Sequence, residues 1–140
     1  MILGIGNDLI DIRRIKRSLE RFGERFEQRV FTPIELEKAA RRKGGVNNSY
    51  AGTLAKRFAA KEACAKALGT GFSQGVFLRD IAVVNLPTGQ PTLQLHGGAA
   101  EALRRKLCKG LDPTISLTMT DEYPMAEAMV VISAVPSALY

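Results

Sequence analysis

The feature that most constrains the fold is a run of helix-forming residues over 54–68, followed directly by Gly69-Thr70-Gly71. The run contains no proline and no glycine, and a glycine directly after it favours the left-handed conformation that ends a helix. These residues therefore predict one helix over 54–68, which is closed by a glycine loop. The chain before it predicts that the helix starts as early as Ser49 or Tyr50.

One side of this helix is lined with small side chains. Ala60, Ala63 and Ala67 recur at the helical period and share that side. Because an alanine side chain is a single methyl group, such a stripe lets the backbone of another element come close to the helix. We therefore expect a second element to pack tightly against it.

The same helix places a carboxylate among fixed cations. Glu62 and Lys66 lie four residues apart, as do Arg57 and Lys61, so each pair shares one face of the helix. This arrangement suits a metal ion that is bound to a polyphosphate. An ordinary exposed ion pair between Glu62 and Lys66, worth a few tenths of a kcal/mol, explains the same spacing.

The remaining patterns predict a single α+β domain over residues 1–140, in which an antiparallel sheet packs against helices. Alternation of apolar residues indicates strands, and a 3.6-residue period indicates helices. The predicted order is β-α-α-α-β-β-α-β-β. The predicted bounds are a strand over 1–5, helices over 11–22, 33–43 and 54–68, strands over 80–86 and 92–96, a helix over 99–107, and strands over 115–120 and 126–134. The strands over 80–86 and 92–96 are predicted to form one hairpin, and those over 115–120 and 126–134 another.

The helix over 33–43 has clear start signals. Thr32 is the predicted cap, Pro33 takes the first helical position, and Glu35 stands three residues after the cap. The segment over 46–49 is predicted to be a polar loop.

The first predicted strand leads to a candidate functional carboxylate. Gly6 is expected to let the chain leave the strand sharply, which places Asp8 at the strand end. A carboxylate at such a position is a turn residue, a helix cap or a metal ligand. Gly4 and Gly6 do not form a dinucleotide-binding fingerprint, because Leu9 stands where the third glycine is needed.

Positive charge is concentrated in the first half of the chain. The net charge is +6, and residues 1–66 contain 15 Lys and Arg against 8 Asp and Glu. On the predicted helix over 11–22, Arg14, Arg17 and Arg21 share one face. The asymmetry predicts an anionic partner, which is a phosphorylated small molecule, an acidic protein or a nucleic acid. A solvated basic face is the ordinary alternative.

Other features narrow the class of protein. Cys64 and Cys108 match no metal-binding spacing and indicate reduced thiols in the cytosol. No apolar run approaches the roughly 20 residues of a membrane span, and the first residues lack the basic start of a signal peptide. We therefore expect a cytoplasmic protein without membrane contact. His96 is the single histidine and stands at a predicted strand end, so a Ser-His-Asp or Cys-His system is not expected.

Several short motifs, in order along the chain, make the sequence similar to a known family. They are Gly4-Ile5-Gly6-Asn7-Asp8, Arg14, Arg57-Phe58-Ala59-Ala60-Lys61-Glu62-Ala63, Lys66-Ala67-Leu68-Gly69-Thr70-Gly71 and Gly89-Gln90-Pro91. The set resembles the holo-acyl-carrier-protein synthase family of small bacterial 4′-phosphopantetheinyl transferases over nearly the whole chain. That family transfers phosphopantetheine from coenzyme A to a serine of apo acyl carrier protein and releases adenosine 3′,5′-bisphosphate. It requires Mg²⁺ and supports fatty acid biosynthesis.

The resemblance implies a role for each matching residue. Asp8 and Glu62 are the implied Mg²⁺ ligands, and together with Lys66 they are the implied catalytic residues. Such a site agrees with the preference of Mg²⁺ for one or two carboxylates alongside phosphate oxygens and water. The residues expected to contact coenzyme A are Arg57, Lys61, Gly69, Gly71, Gly89, Pro91 and Ser116.

The resemblance implies a specific partner for the basic face of the first predicted helix, namely an acyl carrier protein, because these carriers are acidic. Arg14, Arg17 and Arg21 are the expected docking residues for the carrier. The family also implies a homotrimer with active sites between subunits. The apolar strand over 126–134 fits such an interface, and burial in the core explains its composition equally well.

One position departs from the family pattern. Many members have a histidine that opens the strand written here from Ser116, and a serine hydroxyl cannot act as a base near neutral pH. If that histidine deprotonates the carrier serine in those members, Glu62 or a metal-bound water does so here.

Two other functions remain open at this point. The first is a basic nucleic-acid-binding domain without catalysis, although the chain has no tryptophan and does not interleave aromatic with basic residues. The second is the same transfer reaction with a carrier domain of a larger synthase as the acceptor.

Overall fold

The computed structural model describes residues 1–45 and 49–138. These residues form five strands, five α-helices and a short 3₁₀-helix at Leu78–Asp80. The strands and α-helices are β1 (Ile2–Asp11), α1 (Ile12–Phe22), α2 (Glu24–Val30), α3 (Pro33–Ala40), α4 (Ser49–Leu68), β2 (Ile81–Asn85), β3 (Pro91–Leu95), α5 (Gly97–Lys106), β4 (Leu111–Glu122) and β5 (Met125–Pro136). The predicted α+β class and the order of the predicted elements are confirmed, and α2 is an addition to them.

Two antiparallel sheets make up the β-structure. β5 lies between β1 and β4 in a three-stranded sheet, and β2 pairs with β3 in a separate hairpin. α4 packs against one face of the three-stranded sheet. Along β5, Ala126, Ala128, Val130, Ile132 and Ala134 are buried and alternate with more exposed residues, as the two-residue period of a strand requires. The sheet therefore has an inner face toward α4 and an outer face toward solvent.

β1 and α4 come very close because both contribute small residues. A Cβ atom added at Gly4 would lie 1.9 Å from the carbonyl oxygen of Ala67, and one added at Gly6 would lie 1.8 Å from that of Ala63. No side chain fits at such distances. The expected tight packing against the alanine stripe is therefore confirmed at Ala63 and Ala67, and β1 is the element that packs there.

β1 is longer than predicted, and this changes the position of Asp8. The prediction that the chain leaves the strand at Gly6 is wrong, because β1 continues in register with β5 as far as Asp11. Asp8 lies within the strand, opposite Ala128. The N-cap of α1 is Asp11, whose carboxylate accepts a hydrogen bond from the backbone N–H of Arg13 at 2.9 Å.

The segment between α1 and α4 contains two short helices. Gly23, with a φ of 55°, stands between α1 and α2. α3 starts with the predicted Thr32 cap, and Glu35 completes a capping box, but α3 ends at Ala40 rather than at residue 43. The predicted loop over 46–49 falls largely outside the described residues, and Ser49 already belongs to α4.

The second half of the chain contains the two predicted hairpins with adjusted bounds. β2 and β3 pair from Ile81 opposite Leu95 to Asn85 opposite Pro91. β4 and β5 extend for 12 residues each, beyond the apolar alternation that predicted them. His96 directly precedes α5, and its backbone N–H donates to the carbonyl oxygen of Asp80 at 2.8 Å. None of the described helices combines the length and the apolar character that crossing a membrane demands.

Candidate active site

Asp8 and Glu62 meet where β1 packs against α4. Asp8 belongs to the inner face of β1, and Glu62 belongs to the helix that covers this face. Glu62 is half-buried. Burial is the main cause that raises the pKa of the Glu62 carboxyl above its usual range, and the negative charge of Asp8 is the second cause. The negative charges of the two carboxylates repel each other, so a cation between them is favoured.

Lys66 connects the two elements at this site. Its ammonium lies 3.2 Å from Asp8 Oδ1 and donates to the carbonyl oxygen of Asn7 at 2.9 Å. The Lys66 side chain is 54% exposed, so it holds Asp8 in place while its ammonium can still be reached from solvent. Its positive charge also opposes the rise in the pKa of Glu62. The structure thus brings together Asp8, Glu62 and Lys66, the three predicted catalytic residues.

Arg14 is a further cation at the site. It lies on α1, and its positive charge opposes the rise in the pKa of the Glu62 carboxyl, as that of Lys66 does. From the sequence Arg14 was assigned to carrier docking alone. The periodicity of α1 could not reveal its proximity to Glu62, because that depends on how α1 packs against α4.

The donor set fits Mg²⁺ that arrives with a phosphate-bearing substrate. Within residues 1–45 and 49–138, no group of three or more His, Cys, Asp or Glu side chains could hold a metal ion. Zinc sites take three or four protein ligands, which this site does not offer. Mg²⁺ takes one or two carboxylates and completes its octahedral coordination with phosphate oxygens and water. Asp8 and Glu62 are two carboxylates of the kind that Mg²⁺ takes.

The other two predicted cations of α4 lie in the interior. The ammonium of Lys61 is 2.8 Å from Glu35 Oε1, and both side chains are fully buried. Arg57 is 6% exposed and donates to the carbonyl oxygen of Thr53 at 3.1 Å. Burial lowers the pKa of the Lys61 ammonium and of the Arg57 guanidinium. The hydrogen bonds and the ion pair of Lys61 and Arg57 involve neither Asp8 nor Glu62. That these two residues contact coenzyme A stays a prediction.

The glycines that are predicted to contact coenzyme A lie in two open turns. Gly69 and Gly71 have φ values of 79° and 55°, and they form the turn that follows α4. Gly89, with a φ of 90°, belongs to the turn between β2 and β3, and Pro91 begins β3. A Cβ at Gly71 or Gly89 would meet nothing within 4 Å, so a ligand can approach either backbone. The left-handed end of α4 predicted at Gly69 is confirmed.

Ser116 lies on the other side of the sheet. It is exposed on β4 and pairs with Val131 of β5. Asp8 pairs with Ala128, which is buried on the inner face. Because successive side chains of a strand point to opposite faces, Ser116 belongs to the outer face. Within one chain, Ser116 is therefore not brought to Asp8 and Glu62.

A basic surface covers α1 and α2. Arg14, Arg17 and Arg21 are exposed on α1, as predicted, and α2 adds the exposed Arg25 and Arg29. A shallow pocket of about 210 Å³ lies within it, lined by Phe22, Arg25, Phe26 and Arg29. The seven residues of α2 span only two turns, too few for their periodicity to stand out in the sequence. We call these five arginines the basic surface.

Comparisons with known proteins point to one family. The model of the 4′-phosphopantetheinyl transferase superfamily matches residues 4–126. The chain is 60% identical over 134 residues to the holo-[acyl-carrier-protein] synthase of Azorhizobium caulinodans, an alignment that covers 96% of this chain and 95% of that one. The crystal structure of the holo-[acyl-carrier-protein] synthase from Neisseria meningitidis matches with a TM-score of 0.78 and 36% identity, and covers 95% of this chain and 99% of that one. The Helicobacter pylori synthase in complex with coenzyme A matches with a TM-score of 0.74 and 27% identity, covering 92% and 99%.

Proposed function

The chain belongs to the 4′-phosphopantetheinyl transferase superfamily, and we propose that it transfers 4′-phosphopantetheine from coenzyme A to a serine of apo acyl carrier protein. The observation that carries this proposal is the meeting of Asp8, Glu62 and Lys66 across β1 and α4. Two carboxylates and a half-exposed ammonium are the groups that a metal-bound pyrophosphate needs.

The reaction exchanges one phosphorus–oxygen bond for another. The serine oxygen of the carrier bonds to the phosphorus that bears pantetheine, and the anhydride bond to the adenosine-side phosphate breaks. The electron pair of that bond leaves with adenosine 3′,5′-bisphosphate. We assign to the half-exposed ammonium of Lys66 the role of offsetting the negative charge that develops on these oxygens, because a loose transition state needs positioned cations more than covalent help. The proton of the serine hydroxyl goes to Glu62, the carboxylate that this chain supplies where other members have a histidine.

We propose Mg²⁺ as the cofactor, held by Asp8 and Glu62. When bound, the ion neutralises charge on the pyrophosphate of coenzyme A. The pairing of the Asp8 and Glu62 carboxylates across β1 and α4 supports this assignment, and the negative charge of Asp8 adds to burial, the main cause, in raising the pKa of Glu62.

Mass spectrometry tests the proposed reaction. Apo acyl carrier protein, coenzyme A, Mg²⁺ and the protein are incubated, and the carrier is expected to gain one phosphopantetheine group. Chelation of the metal should abolish the gain, and excess Mg²⁺ should restore it. A panel of apo carrier proteins and carrier domains identifies the acceptor. No gain with any carrier would reject the proposal, and nucleic-acid binding by the basic surface would then be measured.

Carrier docking is proposed for the basic surface. Replacing Arg17 and Arg21 together by glutamate should raise the KM for the carrier about tenfold at low salt, because both guanidiniums face an acidic partner. The KM for coenzyme A should stay within about twofold, and the difference should shrink at high salt, where charges are screened. Arg14 is left intact in this variant, since its charge also acts on Glu62.

The matched control for the docking variant is Arg105→Glu together with Lys109→Glu, which changes the net charge equally at two exposed cations near the end of α5. It should leave the KM for the carrier unchanged. Equal effects of the control and of the double arginine variant would show that net charge, not a docking surface, governs carrier binding.

We propose that the outer face of the three-stranded sheet joins three copies of the chain into a homotrimer. Ile5, Leu9 and Met129 lie on this face and are 60%, 59% and 38% exposed, although they are large and apolar. They are neighbours in the sheet, since Ile5 is opposite Val131 and Leu9 is opposite Glu127 on β5. Apolar groups clustered on an exposed face mark an interaction surface.

The homotrimer is tested by changing the outer face. Ile5→Asp should convert a trimer into a monomer in light scattering, because it places a charge in the apolar contact. Ile34→Asp is the control, since Ile34 is similarly exposed, at 62%, but lies on α3. A monomeric wild-type protein would reject the trimer, and an Ile5→Asp trimer would place the interface elsewhere.

A further inference from the structure

A fully buried ion pair stands beside the candidate active site. Lys61 and Glu35 have no exposed side-chain area, and Lys61 Nζ lies 2.8 Å from Glu35 Oε1. Among the ion pairs of the described residues, it is the only one buried on both sides. Lys61 directly precedes Glu62 in α4, so the pair is one residue away from a proposed metal ligand.

The pair is the centre of a hydrogen-bond network that joins three elements. Glu35 Oε1 accepts from the backbone N–H of Thr32 at the start of α3, and Glu35 Oε2 accepts from that of Val83 in β2, both at 2.8 Å. Lys61 Nζ donates to the carbonyl oxygen of Ile81 in β2 at 2.6 Å. Each of these bonds has a defined direction, so together they hold α3, α4 and β2 in one relative position.

Stability alone does not account for such a pair. Removing two charges from water is costly, and a buried ion pair can often be replaced by apolar residues of similar volume without loss of stability. What apolar residues cannot replace is directionality. The four bonds around Glu35 and Lys61 hold the rotation of α4 from the side of α3 and β2, whereas the close contact with the glycines of β1 holds it from the other side.

The rotation of α4 decides where Glu62 points. Successive residues of an α-helix are about 100° apart around its axis, so a helix that turns Lys61 toward α3 and β2 turns Glu62 toward β1. β2 also continues into the turn with Gly89, which is a proposed coenzyme A contact. The buried pair therefore links the helix of the metal ligand to the hairpin of the cofactor contacts.

We propose that Lys61 and Glu35 are positioning residues for the transfer reaction, which set the direction of Glu62 by fixing α4 against α3 and β2. Lys61 acts through Glu62 and does not itself contact coenzyme A. This inference rests on the proposed function of Asp8 and Glu62, and it assigns Lys61 a role different from the one expected from the sequence.

Transfer by the wild-type protein is established first, and the experiment then compares three proteins. They are wild type, Lys61→Met, and the double variant Glu35→Leu with Lys61→Met. The melting temperature, the Mg²⁺ concentration for half-maximal rate, and the KM values for coenzyme A and carrier are measured for each. Binding of Mn²⁺ in the presence of coenzyme A, followed by the electron paramagnetic resonance signal of the free ion, gives a readout without turnover.

The double variant is expected to recover most of the melting temperature that Lys61→Met loses, since no unpaired charge remains buried. It should nevertheless keep an increase of about fivefold or more in the Mg²⁺ requirement and in the dissociation constant for Mn²⁺. The KM for the carrier should not change. Leu103→Ala, a core change on α5 that lowers the melting temperature without touching the pair, should leave the Mg²⁺ requirement as in wild type.

Two results would overturn the proposal. A double variant with wild-type dependence on Mg²⁺ and Mn²⁺ would make the pair purely structural. A defect confined to the KM for coenzyme A would make Lys61 a cofactor contact. If the double variant does not fold, Glu35→Gln, which keeps the shape of the side chain and removes its charge, is measured in the same way with the same two overturning results. Absence of transfer by the wild-type protein would instead reject the proposed function.

Discussion

Replacing Asp8 by asparagine is expected to lower the transfer rate at saturating substrates by about 100-fold or more. Asparagine keeps the shape of the side chain but removes the negative charge that holds the proposed Mg²⁺ and that bonds to Lys66 at 3.2 Å. Glu62→Gln should have an effect of the same size, because the two carboxylates hold one ion between them. The double variant should be little worse than either single variant, since groups that act as one unit lose their function together.

The measurement is the rate of mass gain of the carrier over a range of Mg²⁺ concentrations. Both variants should melt as cooperatively as wild type, because Asp8 and Glu62 are not fully buried. Asp112→Asn is the control, since Asp112 is an exposed carboxylate at the far end of β4. Rates for Asp8→Asn or Glu62→Gln within about threefold of wild type would contradict the assignment of the metal site.

Replacing Gly6 by alanine is expected to destabilise the protein by about 3 kcal/mol or more, because the added carbon has no room. The Cβ would lie 1.8 Å from the carbonyl oxygen of Ala63, which belongs to the backbone of α4 and cannot rotate away. β1 must then move off α4. The melting temperature should fall by about 10 °C, and transfer should slow as well, because Asp8 lies two residues further along the same strand.

Gly52→Ala is the matched control for this change. A Cβ at Gly52, inside α4, would meet its nearest neighbours at 3.5 Å and 3.7 Å, which are ordinary contact distances. Alanine is also the better helix former, by roughly 0.5 to 1 kcal/mol, so this variant should melt at the same temperature as wild type or slightly higher. If Gly6→Ala had the same melting temperature as the control, β1 and α4 would not be held as close as described.

Patterns that lie within one element were read correctly from the sequence. The capping box of Thr32 and Glu35 and the left-handed end of α4 at Gly69 both formed as predicted. The alanine stripe of α4 does receive a second backbone. Each of these depends on residues only a few positions apart, whose distances are set by the period of the backbone.

Two local predictions failed because a neighbouring element outweighed local propensity. Gly6 suggested a break in the first strand, yet the strand continues because β5 pairs with it as far as Asp11. The glycine serves the contact with α4 instead. α2 went unnoticed since it has only seven residues, and its Glu27 is held by a hydrogen bond from the hydroxyl of Tyr50 in α4, far along the chain.

The sequence by itself determined most of the elements, the class of fold and, through ordered motifs, the family. The ordered motifs also named Asp8, Glu62 and Lys66, but only the tertiary structure decided how these distant side chains come together. Lys66 and Asp8 are 58 positions apart, and no period relates them; they meet because Gly4 and Gly6 let β1 lie directly on α4. Likewise, a lysine four residues from an arginine looks the same in sequence whether it faces solvent or core. Whether such a lysine is buried depends on the elements that pack against the helix. Lys61 is buried because α3 and β2 pack over it.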